Sequence, residues 1–156
     1  MKFNKLEITD QIGELDVVYK YKADKKNRPI IRSSNDAIQV IEKLFKVDKL
    51  GLQEQFVVVF LNRANRVIGC THLFSGGVTS TVVDIRIVVA TALRLVSSAI
   101  IIAHNHPSGN LSQSEEDKKL TLRLKNALEL MEIKLLDHII LGHDQEYSSF
   151  ADTGEI

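Results

Sequence analysis

The 156-residue chain has no tryptophan, one cysteine and two prolines, and only 6% of it is aromatic. A lone thiol, Cys70, can form no internal disulfide, so nothing in the sequence calls for an oxidising compartment. Set in an apolar strand, that cysteine reads as a small buried hydrophobe rather than a reactive thiol. The few aromatics are not interleaved with Lys or Arg clusters, which argues against a base-stacking platform for nucleic acid. Excess charge of either sign is missing too. The 20 Lys+Arg balance 20 Asp+Glu, so no global field gathers nucleic acid or anionic lipid. Long hydrophobic runs are also lacking: Phe56–Leu61 and Ile87–Ala90 fall far short of the ~20 residues of a membrane span. The charge-laced start lacks the apolar core of a signal peptide. These absences predict a chain with no membrane partner, working in the cytoplasm, and they carry no signal for an oligomeric state.

What remains is an ordinary globular composition, 44% hydrophobic and 26% charged, enough for one domain with a self-sufficient core. Glu14–Tyr21 reads as a strand and Lys22–Arg28 as a solvated loop, giving an N-terminal β/loop extension over 1–34 ahead of a domain over 35–156. Ser33–Asp36 offers several N-caps, and Ala37, Ile38, Ile41, Leu44 and Phe45 recur as one buried helical face. Phe56–Leu61 is β-branched and aromatic without polar alternation, the pattern of a strand covered on both faces. Asn62–Arg66 is its turn, Val67–Phe74 the second arm of a hairpin, and Ser75-Gly76-Gly77 its end. Asp84 caps a second helix whose stripe is Ile85, Val88, Val89, Ala92, Leu93 and Val96. A short apolar strand, Ala99–Ala103, runs into His104-Asn-His-Pro-Ser-Gly109, where proline and glycine turn the chain out of the sheet. Ser114–Asp117 starts a third helix carrying Leu120, Leu124, Ala127, Leu128 and Met131, and Leu135–Leu141 is the last strand. The order is that of a single α/β domain with a mixed sheet flanked by helices.

His104 and His106 are two residues apart at a strand end, where alternation puts both rings on one side. Asp117 follows after a ten-residue gap in the first turn of a helix, so the loop can fold its carboxylate back toward them. Two imidazoles and a carboxylate make a three-ligand set that leaves the fourth tetrahedral position of Zn²⁺ open to water, the mark of a catalytic rather than a structural site. Water on zinc ionises near pH ~7 and becomes a nucleophile. A carboxylate outside the ligand set must then take its proton and return it to the leaving group. Glu54, directly before the buried strand, is the candidate. Ser114 can donate a hydrogen bond to a developing oxyanion.

Glu54, His104-x-His106 and Asp117, with Ser114-x-x-Asp117 inside the gap, resemble the JAMM (MPN+) metalloprotease motif. Glu54-Gln-Phe-Val-Val-Val-Phe-Leu-Asn62, His104-Asn-His-Pro-Ser-Gly109 and Leu136-Asp-His138 are similar to its RadC branch, with the likeness running from about Asn35 to Phe150. The resemblance implies a cytidine-deaminase-like three-layer sandwich of the JAMM/MPN type and a zinc held by His104, His106 and Asp117. It also implies Glu54 as general acid/base, and hydrolysis of a peptide or isopeptide bond in a peptide or protein-conjugate substrate. Longer RadC proteins carry an N-terminal helix-hairpin-helix region suited to DNA; the first ~35 residues here read as strand and loop instead.

Plainer readings stand beside these. Ser114-x-x-Asp117 is also an ordinary capping box, Asp117 can cap without ligating, and Glu54 can be a solvated strand-edge charge. His138 reads as a core histidine satisfied by neighbours or as an outer support for the metal ligands. His72 and His143 read as surface or strand-edge residues. The letters His104-Asn105-His106 are not an HNH nuclease signature, whose residues spread over a ββα unit. The alternative function is a DNA-repair-associated accessory protein binding DNA or a repair partner without proteolysis. A catalytically dead MPN scaffold is a third, although such domains typically lack the ligands present here.

Overall fold

A computed structural model describes residues 27–75, 83–143 and 146–156. The strand expected over 14–21, most of the charged loop over 22–28 and the glycine pair at 76–77 lie outside the described residues. Five strands form one sheet in the order β2-β1-β3-β4-β5: β1 (Gln55–Leu61), β2 (Val67–Ser75), β3 (Ala99–Asn105), β4 (Lys134–Leu141) and β5 (Tyr147–Ser149). β1 pairs antiparallel with β2 across the expected hairpin and antiparallel with β3. β3 and β4 are parallel, as the crossover through a helix requires, and β5 returns antiparallel. The apolar run in β1 and the one in β3 occupy the centre, and every residue of both strands is buried.

Alternation along these strands feeds two cores. Val57, Val59, Leu61, Ile101 and Ala103 face helix α1 (Ser34–Ile41), which supplies Ala37, Ile38 and Ile41. Phe56, Val58, Phe60, Ile100 and Ile102 face helices α2 (Ile85–Arg94) and α3 (Glu115–Glu129), through Val88, Ala92, Leu124 and Leu128. The result is a single three-layer α/β domain, as expected. Ser33, Asp84 and Ser114 cap the three helices with their side chains. The first helix is shorter than its apolar stripe: it gives way to a 3₁₀ turn at Glu42–Leu44, and Phe45 reaches the core from an extended backbone.

Helix ends correct three of the stripe assignments. Leu93, Val96 and Met131 are exposed. α2 stops at Arg94, and Val96 takes φ 52° so that its N–H reaches Leu93 O while Ser97 N–H reaches Ala92 O. This is a Schellman closure with a β-branched residue where glycine belongs. α3 ends in the same way, with Glu132 at φ 56°. Val96 is 83% exposed, so its side chain gives back little for a left-handed backbone that costs a non-glycine residue about 1–2 kcal/mol. Val96→Gly is therefore expected to stabilise the domain by about 1 kcal/mol, once the larger unfolded-state freedom of glycine is subtracted. Urea denaturation at constant m-value measures it.

Candidate metal centre

The antiparallel β1–β3 register sets His104 opposite Phe56, so the carboxyl end of β3 lies beside the chain entering β1. Glu54 immediately precedes β1 and His106 immediately follows β3, at the neighbouring ends of the paired strands. His104 is inside β3, two residues longer than its apolar run, on the face that carries Ile100 and Ile102. His106 follows the strand in a turn closed by Gly109 N–H to His106 O, with Gly109 at φ 75°. That φ favours glycine, and a Cβ there would stand 2.5 Å from Cδ2 of the exposed His143 ring, which would have to shift. The turn leaves His106 Nδ1 2.6 Å from Asn110 O, and a carbonyl can only accept. The His106 proton therefore belongs on Nδ1, and Nε2 carries a lone pair when the ring is neutral.

α3 delivers the third group. Asp117, Thr121, Leu124 and Leu128 form its buried stripe, so the first two sheet-facing positions are polar where the next two are core. Ser114 and Asp117 complete a capping box: Asp117 N–H donates to Ser114 Oγ at 3.1 Å, and Asp117 Oδ2 accepts Ser114 N–H at 2.9 Å and Oγ–H at 2.7 Å. That leaves Oδ1 for His104. His104 Nε2 lies 2.9 Å from His106 Nε2 and 3.2 Å from Asp117 Oδ1, and His106 Nε2 is 3.6 Å from Oδ2. Ligands 2.0–2.1 Å from a tetrahedral zinc stand about 3.3–3.4 Å apart, so the spacing fits such an ion. Among the described residues, His104, His106 and Asp117 are the group of nitrogen and oxygen donors able to hold a metal.

The electrostatics agree with that reading. Burial opposes ionisation of Asp117, but the imidazoles beside it and the Ser114 hydroxyl outweigh it and hold the carboxyl far below the ordinary range. The bond to Asp117 raises His106 against partial burial, and the charge of Glu54 adds to the rise. Without metal, a proton on His106 thus neutralises the cluster. Its stabilisation is full below the ordinary histidine pKa of ~6.5 and fades as pH rises through the elevated folded value. A metal ion must displace that proton. Zinc affinity is expected to tighten about tenfold per pH unit through this range, then level off, as competition with a chromophoric chelator would read.

Three residues beyond the ligands, Glu54 and Ser114 hold the site in shape, and of these only His138 was singled out in the sequence. His138, on β4 beside Ile102, is fully buried, and its Nε2 lies 2.8 Å from His104 Nδ1. It is a satisfied core histidine and a support for a ligand at once. Burial drives its pKa well down. Thr121 Oγ1 lies 2.6 Å from His138 Nδ1. Asn105, between the two histidines and pointing to the opposite face, ties down the chain that carries Glu54. Its Oδ1 accepts Gln55 N–H at 2.8 Å, and its Nδ2 donates to Leu50 O at 2.8 Å and Gln53 O at 3.1 Å. Asn105→Ala would leave these groups without partners at about 1–3 kcal/mol for each one that stays dry, so an overall loss of about 2–4 kcal/mol is expected by urea denaturation. His72 and His143 are exposed, as expected, and so is Cys70, on edge strand β2, contrary to the buried role its apolar neighbours suggest.

A family model described as the RadC-like JAB domain matches residues 31–155. The chain belongs to the RadC-like JAB domain family. Similar proteins bear the name UPF0758, which states no activity. A UPF0758 protein of Flavobacterium johnsoniae is 40% identical over 124 residues, 80% of this chain and 52% of that protein. One from Porphyromonas gingivalis is 44% identical over 102 residues, 65% of this chain and 45% of its own length. UPF0758 protein YfjY of Escherichia coli K12 is 43% identical over 117 residues, 74% of this chain and 72% of YfjY. The chain thus spans about half the length of the first two relatives and most of the third. The JAB match covers β1 to β5 and all three helices but the first few residues described. No helix among the described residues is long and apolar enough to cross a membrane.

Proposed function

We propose that this JAB domain is a zinc-dependent hydrolase that cleaves a peptide or isopeptide amide bond. One observation carries the proposal: two imidazole nitrogens and a carboxylate oxygen converge within 4.8 Å of one another. Two histidines and a carboxylate, with a fourth position left for water, are one of the ligand sets found in catalytic zinc sites. Bound there, zinc would polarise a carbonyl and bring the pKa of water to ~7.

The remaining work falls to the chain. His104, His106 and Asp117 hold the ion, and the capping box fixes Asp117 by engaging the oxygen that does not face His104. Glu54 accepts a proton from the attacking water and returns it to the departing amine, the exchange an amide needs because its nitrogen leaves poorly unprotonated. The Ser114 hydroxyl, bonded to Asp117 at rest, turns to donate to the oxyanion.

The test is metal analysis followed by substrate screening. Protein purified without chelator is expected to hold close to one zinc per chain. It should also cut members of a library of linear and lysine-isopeptide-linked peptides, read by mass spectrometry as new termini. Chelation should stop cleavage and zinc should restore it. Protein that neither contains nor takes up zinc overturns the proposal. Titration of labelled branched and single-stranded DNA at two salt concentrations tests the accessory role, since phosphate binding weakens steeply with salt; salt-sensitive binding by a chain that cuts nothing would favour that role.

A further inference from the structure

We propose that Thr121 and His138 are positioning residues that fix the tautomer of His104, presenting its Nε2 lone pair to the metal; the inference rests on the zinc reading of the site. The direction of the hydrogen bonds follows from one acceptor that cannot donate. Thr121 Oγ1 lies 2.6 Å from the backbone oxygen of Asp117, one helical turn earlier, and 2.6 Å from His138 Nδ1. The hydroxyl has one hydrogen, and only it can make the first contact a bond. His138 Nδ1 must then donate to the Thr121 oxygen.

The other end of the ring follows. His138 has 0% exposure, stacks on Phe150 at 4.7 Å and meets the edge of Phe56, and neither of its ring nitrogens is bonded to a carboxylate. An imidazolium there would be a buried charge without a bonded counter-ion, so the ring is neutral and Nε2 is an acceptor. The contact of 2.8 Å to His104 Nδ1 is a bond only if His104 supplies the hydrogen. His104 is thereby left with its lone pair on Nε2, the atom 3.2 Å from Asp117 Oδ1. The reverse chain, with His104 Nε2–H aimed into the cluster, would set the Thr121 and Asp117 oxygens 2.6 Å apart with no hydrogen between them. Asp117 therefore serves the site twice, its carboxylate directly and its carbonyl through Thr121 and His138.

Side-chain nitrogen NMR on metal-free protein reads the tautomer without any ion. His138 is expected to show a protonated Nδ1 and a pyridine-like Nε2. Outer hydrogen bonds to zinc ligands are typically worth 10–100-fold in affinity. Thr121→Val should accordingly weaken zinc binding by about that factor, while Thr121→Ser, which keeps the hydroxyl, should restore most of it. A wild-type spectrum with the proton on His138 Nε2 overturns the proposal, and so does a folded Thr121→Val protein with unchanged zinc affinity. Wild-type protein that shows the expected tautomer and yet refuses zinc would instead sink the metal reading, so the two failures are told apart.

Discussion

Asp117→Asn is expected to empty the site of metal while leaving α3 in place. The substitution keeps one carbonyl oxygen, which can still accept Ser114 N–H, so the helix start loses only part of its capping box and about 1 kcal/mol. What it removes is the anion. Two neutral imidazoles and an amide must then hold a divalent cation that has given up its water, and zinc affinity should fall at least as far as outer-bond losses take it, about 100-fold or more. His106 loses the principal source of its raised pKa at the same time. Folding lowers the pKa of Asp117, so its contribution is present at neutral pH and is lost as pH drops below the ordinary carboxylate value of ~3.9. The variant should therefore lose less stability than wild type on acidification of the metal-free protein. Chelator competition and acid titration followed by circular dichroism measure the two effects. Zinc binding as tight as wild type would show that Asp117 is a cap and not a ligand.

The parts of this site that were legible in the sequence are those fixed by local rules. Two histidines at period two on a strand end must share a side, and Ser114-x-x-Asp117 marks a helix start whichever role the aspartate takes. β1 declared its central place through six apolar residues in a row, and the structure buries all of them. Thr121 and His138 were harder because their meeting depends on two long-range facts. β4 must return parallel to β3 in the register that sets His138 beside Ile102, and α3 must lie across both with Thr121 one turn past Asp117. Apolar periodicity ran past Thr121 because Leu120 and Leu124 flank it and Leu120 is itself half-buried. Helix ends misled for a different reason. Ser97-Ser98 reads as the close of the second helix, but with no glycine after Arg94 or Glu129 the sequence does not mark the left-handed turns that Val96 and Glu132 make. β5, three residues long, has no pattern of its own and exists through pairing with Ile139–Leu141.

Glu54→Gln is expected to keep zinc and to lower turnover by about 10²–10⁴-fold, the usual weight of a general acid–base group. The reasoning begins with how the residue is held. Gln55, its neighbour, is buried and spans back to Lys46 through bonds of 2.9 Å to the backbone N–H and 3.1 Å to the carbonyl. Asn105 closes the same segment from β3. The backbone on either side of Glu54 is thus fixed by contacts that a glutamine at position 54 leaves untouched, and the side chain keeps its shape. Only the ability to take a proton is lost. Glu54 is outside the three converging donors, so zinc affinity should change by a few-fold at most, through the small electrostatic support it gives His106. The pairing of results decides the role. Loss of zinc together with activity would make Glu54 part of the binding set, and retention of both would return it to a charge at the edge of a strand. Metal retained with turnover gone, measured by single-turnover cleavage of the best library substrate and zinc analysis on the same sample, assigns it the proton.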